Sequence, residues 1–244
     1  MKKILAITVL VFSVLFFSNP VYSLPLLQLD ISEGTYVEAP EETVFSVSDS
    51  FTLYTLLNPA DNKATLADTY YVTASLVPQW DTDGNYGSFE FNGETVEVTA
   101  DMINGTPDGL QTHGIFPTFY KEFEFTFDSA NTATEYNSQD TPGGLDPTAG
   151  LDPATGSGLY YAAFDVDLSN LAPPDGDEWS IHFDLYTKTL DKDGNLVANY
   201  TAPFSHDAQS ITVTNAPVPE PATMFLLGSG LIGLGWTGRR RKNK

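Results

Sequence analysis

The stretch Trp179-Ser180-Ile181-His182-Phe183-Asp184-Leu185-Tyr186 decides how the chain is read. Successive side chains of a strand point to opposite faces, so Ile181, Phe183 and Leu185 share one side. His182, Asp184 and Tyr186 share the other, which is the polar and wet one in this reading. The same alternation recurs on both sides of it. Leu27-Gln28-Leu29-Asp30-Ile31 and Phe51 to Leu56 carry it, and Thr69 to Val77 is rich in β-branched and aromatic residues. Phe119, Phe123, Phe125 and Phe127 stand opposite Glu122 and Glu124, and Phe164, Val166 and Leu168 opposite Asp165 and Asp167. Asn195 to Tyr200 and Ile211 to Thr214 close the series. Asn92-Gly93 lies between Phe89-Glu90-Phe91 and Thr95-Val96-Glu97-Val98, which is the strongest short hairpin signal.

About ten short strands separated by turn residues predict an all-β fold, an antiparallel β-sandwich of jelly-roll or immunoglobulin-like type. One face of each strand should be packed and the other wet and acidic. A closed barrel is the alternative. An outer-membrane barrel does not fit, because its lipid-facing side chains must be apolar and these faces carry Glu and Asp.

The ends differ from this body. The whole chain has 244 residues and a formal charge of −21. Residues 24–216 hold four of the 11 basic residues and 31 of the 32 acidic ones, a net charge of −27. Such a field repels phosphate backbones, so nucleic acid is excluded as a partner. The chain has no Cys, hence no disulfide, thiolate metal site or cysteine nucleophile. Residues 1–23 have the make-up of a signal peptide: Lys2 and Lys3, the apolar run Ile4 to Phe17, and Asn19-Pro20. The run is shorter than the ~20 apolar residues a span needs. Signal peptidase is therefore expected to cut between Ser23 and Leu24.

At the other end Val218-Pro219-Glu220-Pro221 leads into the Gly-rich apolar stretch Ala222 to Trp236, then Arg239-Arg240-Arg241-Lys242. Physically this is an extended spacer, a short membrane helix and a basic stop held on the cytoplasmic side. Its glycines, Gly228, Gly230, Gly233 and Gly235, would let another helix approach closely. This tail, residues 217–244, resembles the PEP-CTERM sorting signal of Gram-negative bacteria in all three parts and their order. The resemblance implies an exosortase-type membrane peptidase as partner and transient anchoring in the inner membrane. It further implies cleavage near Pro219-Glu220-Pro221 and delivery to the cell surface or extracellular matrix, in the company of exopolysaccharide and biofilm.

The body, 24–216, is read as one domain with a long excursion at 129–158. There Leu145-Asp146-Pro147-Thr148-Ala149-Gly150 is followed by Leu151-Asp152-Pro153-Ala154-Thr155-Gly156, a six-residue unit written twice with Thr and Ala exchanged. A structureless loop of this length is uncommon in a compact domain. The body is similar to the choice-of-anchor surface proteins, type N, in stretches such as His113-Gly114-Ile115-Phe116-Pro117 and Ala202-Pro203-Phe204-Ser205-His206-Asp207. That resemblance implies no activity and no binding residue.

Two loops share the word Asp-x-Asp-Gly-Asn: Asp81, Asp83 and Asn85 in one, Asp191, Asp193 and Asn195 in the other. Close carboxylates around a Gly turn can wrap Ca²⁺, but Gly is fourth rather than sixth and no Glu stands twelfth, so the EF-hand pattern fails. Tight turns between strands account for the same residues. Trp80 and Tyr86 flank the first loop and are the candidate exposed pair for stacking on a sugar ring. His113, His182 and His206 accompany no Gly-x-Ser-x-Gly elbow and no His-Glu-x-x-His helix. The expectation is a non-catalytic surface protein. A carbohydrate-binding module, Ca²⁺-assisted or not, is the alternative, and a secreted hydrolase ranks third.

Overall fold

A computed structural model describes residues 25–38, 41–59, 63–110, 114–133 and 159–214. The segment expected to be a signal peptide, the tail from 215 onward, His113 and most of the long excursion lie outside the described residues. The strands are β1 (Leu27–Ile31), β2 (Thr35–Val37), β3 (Thr43–Phe45), β4 (Ser50–Leu57), β5 (Tyr70–Val77), β6 (Ser88–Phe91), β7 (Glu94–Glu97) and β8 (Ile103–Gly105). They continue as β9 (Thr118–Phe125), β10 (Thr132–Ala133), β11 (Leu159–Asp167), β12 (Glu178–Leu190), β13 (Leu196–Thr201), β14 (Asp207–Gln209) and β15 (Val213–Thr214). A 3-10 turn at Phe204–His206 precedes β14.

One sheet runs in the order β1-β4-β11-β6-β7, with β10 beside β11. The other runs β2-β3-β14-β12-β5-β9-β8, with β13 and β15 also on β12. Among the described residues every pairing is antiparallel except β3 with β14. The two sheets face each other across one core. Leu27, Leu29 and Ile31 of β1, Leu53 of β4 and Phe89 of β6 meet Val72 and Leu76 of β5 and Ile181, Phe183 and Leu185 of β12. Phe51 and Phe183 pack edge to face across the gap at 6.1 Å, and Phe91 and Phe123 stack at 3.9 Å. Each such side chain, fully buried, contributes about 1.5–3 kcal/mol. The period-2 pattern thus places every apolar residue of β12 named above on the inner face, as the alternation requires.

The Asn92-Gly93 hairpin forms between β6 and β7, with both residues at positive φ (50° and 80°) as its tight turn demands.

The expectation of one wet face per strand fails in the middle of the second sheet. Strand β12 is buried on both faces from Trp179 to Thr187. A second apolar layer, Leu110, Phe116, Tyr120 and Tyr186 with Ile115 and Ala198 against it, covers the outer side. The segment between β8 and β9 supplies that cover, and its Gly- and Pro-rich sequence carries no strand period to announce it. His182, placed on a wet face by its alternation, is only 2% exposed. Alternation fixes which face a residue is on, but not whether another segment lies over that face.

Candidate functional site

The outer face of β12 brings together polar residues that lie far apart in the chain. His182 pairs across the sheet with Gln209 of β14 on one side and Ser75 of β5 on the other. Its Nε2 lies 3.5 Å from Asp184 Oδ1 and 3.5 Å from Asp207 Oδ2. Asp184 comes two residues later on the same strand and so on the same face. Asp207 opens β14, one residue past His206, and reaches His182 only because β14 is laid against β12. All three are buried. Burial of the ring pulls the His182 pKa down. The charges of Asp184 and Asp207, with hydrogen bonds to Asp184 and Gln209, outweigh it and hold it above 6.5.

A cleft of about 420 Å³ opens over this cluster. Glu41, Glu42 and Phe45 line one wall, Ile115 and Phe204 another, and His182, Asp207 and Gln209 also line it. The Thr43 hydroxyl donates to the Glu41 carbonyl at 2.8 Å and is held there. The side chain opposite His182, Ser75, has no exposed surface. An imidazole between two carboxylates can hold a proton and stabilise positive charge. The Ser75 hydroxyl beside it is sealed from solvent and could not serve as an accessible nucleophile. His206 is half-buried in the 3-10 turn next to Asp207.

The Asp191 loop is a tight turn and the Asp81 loop is irregular. Asp191 Oδ1 accepts the backbone N–H of Asp193 at 2.8 Å and of Asn195 at 2.9 Å, closing the β12–β13 hairpin. These backbone bonds, that to Asn195 foremost, hold the Asp191 carboxyl below its ordinary value. In the other loop Asp81 accepts from the Thr82 hydroxyl at 3.2 Å, and Asn85 accepts from the Gly87 N–H at 3.3 Å. Asp83 and Asp193 are exposed. Among the described residues, no three His, Asp or Glu side chains gather as a metal site.

Trp80 and Tyr86 do meet, but not as an open platform. Their rings are edge to face at 5.6 Å, and both lean on the fully buried Trp179, at 5.0 and 5.1 Å. Trp80 Nε1 donates to the Thr82 carbonyl at 2.8 Å. Tyr86 lies directly over Gly84, where a Cβ would come within 2.5 Å of the ring. The pair is therefore half-buried and plugs one end of the core. The sequence pattern could not show this, because Trp179 joins the group from a strand some ninety positions away.

Residues predicted to act in sorting and processing, Ser23, Leu24, Val218, Pro219, Glu220, Pro221, Arg239, Arg240 and Arg241, lie outside the described residues. Residues 217–242 match the family model of the PEP-CTERM protein-sorting motif. That motif marks an exported protein handled by an exosortase and sorted to the cell surface. A comparison with curated proteins finds no match.

Proposed function

We propose that this chain is a non-catalytic surface or extracellular-matrix protein, whose β-sandwich is carried out of the cell and released from its tail by an exosortase. In this reading signal peptidase removes residues 1–23. The tail then holds the chain in the inner membrane of a Gram-negative cell until it is cut near Pro219-Glu220-Pro221. The mature domain joins the exopolysaccharide of a biofilm. The observation that carries the proposal is the sorting motif at 217–242 placed directly after the last described strand. The sealed hydroxyl opposite His182 favours a binding or structural role over catalysis. The domain's charge of −27 suits a soluble component that meets anionic polymer through bridging divalent cations. The body's likeness to choice-of-anchor surface proteins points the same way.

The test is expression of the full chain in a Gram-negative host that has an exosortase, followed by fractionation and immunoblotting. The wild-type chain should lose its tail and reach the surface or the medium. A chain with Pro219, Glu220 and Pro221 all replaced by Ala should stay full-length in the membrane fraction. Equal processing of the two would refute the sorting reading. Co-sedimentation of the mature domain with the host's exopolysaccharide, with and without millimolar Ca²⁺, tests the matrix role. No co-sedimentation in either condition refutes that part.

A further inference from the structure

The His182 cluster links β12 to β14 beside other bonds that hold 207–214 on β12: Ser210 N–H to the Ile181 carbonyl, Ile181 N–H to Ser210 Oγ and Gln209 Nε2 to Ser180 Oγ, each at 2.8 Å, and the β15 pairing. Asp184 sits on the same strand as His182 and moves with it. Asp207 belongs to β14, which meets β12 through two register pairs, His182 with Gln209 and Phe183 with Ala208. Its other neighbour is β3, in the one parallel pairing among the described residues. Three positions beyond the last residue of β15, Thr214, the sorting motif begins at 217. We propose that His182, Asp184 and Asp207 form a proton-dependent clasp, which holds β14 on β12 while the imidazole is charged and lets the end of the domain loosen when it is neutral. This inference rests on the fold and not on the surface role.

The electrostatics give the direction. With His182 protonated, one buried positive charge stands between two buried carboxylates. Without that proton, the two like charges remain and only a neutral ring separates them, at high cost in a desolvated site. Other polar and titratable groups stand around the cluster. Glu41 and Glu42 line the cleft ahead of β3. From β5 comes Ser75 and, beyond it on β9, Tyr120, whose phenol burial keeps protonated. His206, in the 3-10 turn, is the other titratable group next to Asp207. The folded-state pKa of His182 is raised above 6.5. Its contribution is therefore complete below the unfolded value and is lost as pH rises through the raised folded value. The cleft gives that proton a route to solvent.

Amide hydrogen exchange on the full chain in detergent micelles, between about pH 5.5 and 9, tests this within the range where histidine titrates. Each rate is divided by the intrinsic rate at the same pH. Protection of 207–214 should fall with rising pH, by about tenfold for each unit by which the folded value exceeds the unfolded one. Protection of β5 should stay level. His182→Gln should give a level profile in 207–214. Level protection in the wild type, or the wild-type slope in His182→Gln, would overturn the clasp. If that variant does not fold, the imidazole NMR titration of the wild type decides. A His182 value above 6.5 supports the clasp, and one at or below it refutes it.

Discussion

Gly87 offers a test of how the chain just before β6 is locked to the chain at 170–172. It stands at φ +74°, a conformation that costs any other L residue about 1–2 kcal/mol. A Cβ built there would lie 2.0 Å from the carbonyl oxygen of Asn170, and backbone cannot swing aside as a side chain can. To relieve the clash the chain at 86–88 must separate from the chain at 170–172. That breaks the isolated bridge of Gly87 with Leu171, with two hydrogen bonds: Ser88 N–H to Asn170 at 3.1 Å and Ala172 N–H to Tyr86 at 2.8 Å. At about 1 kcal/mol each, plus the backbone cost, Gly87→Ala should lose about 3–4 kcal/mol. For a domain of this size that is a fall in Tm of about 6–16 °C. Gly93 is the internal control. Its φ is +80°, but a Cβ there meets nothing within 4 Å, so Gly93→Ala should lose only about 1–2 kcal/mol. Urea unfolding of the full chain, followed by tryptophan fluorescence, measures both. If the two variants lie within about 0.5 kcal/mol of each other, below the worth of a single hydrogen bond, steric contact with Asn170 is not what fixes this junction.

Trp179 should tolerate phenylalanine far better than alanine. Its buried Nε1 has no acceptor among the described residues, so losing that N–H offsets about 1–3 kcal/mol of the smaller ring's packing cost. Trp179→Phe should then fall within about 1 kcal/mol of wild type and Trp179→Ala lose about 3–5 kcal/mol. A loss above about 3 kcal/mol for the phenylalanine variant, by the same urea assay, would mean that the indole makes a bond this account lacks. Asp191, held below its ordinary value of 3.8, stabilises its hairpin above that pH and loses the effect as pH falls through the folded value. Thermal melts of Asp191→Ala should show a lower Tm than wild type near neutrality, with the gap closing on acidification. A gap that persists in acid would assign the effect to something other than the carboxylate.

The sorting motif and the fold class were legible in the sequence, because both depend on local order. A strand's period of 2 is written in consecutive residues, so Ile181, Phe183 and Leu185 announce an inner face. Asn92-Gly93 announces its own turn, since only a few residue types reach positive φ cheaply. The sorting motif is a linear word, read whole by a membrane enzyme.

The candidate site was not legible. His182 and Asp184 could be placed on one face, but the second carboxylate, Asp207, comes from a separate strand, and the cover over that face comes from a segment without strand period. Trp80 and Tyr86, expected as an exposed pair, pack on Trp179 and form a plug rather than an open platform. The sequence alone determined what is decided by neighbours along the chain: strand faces, tight turns and addresses. Which face is dry, which carboxylates meet the same imidazole and which aromatics are covered depended on strand order and on what lies over each sheet. Burial and charge coupling act through space, and only the folded chain sets those distances.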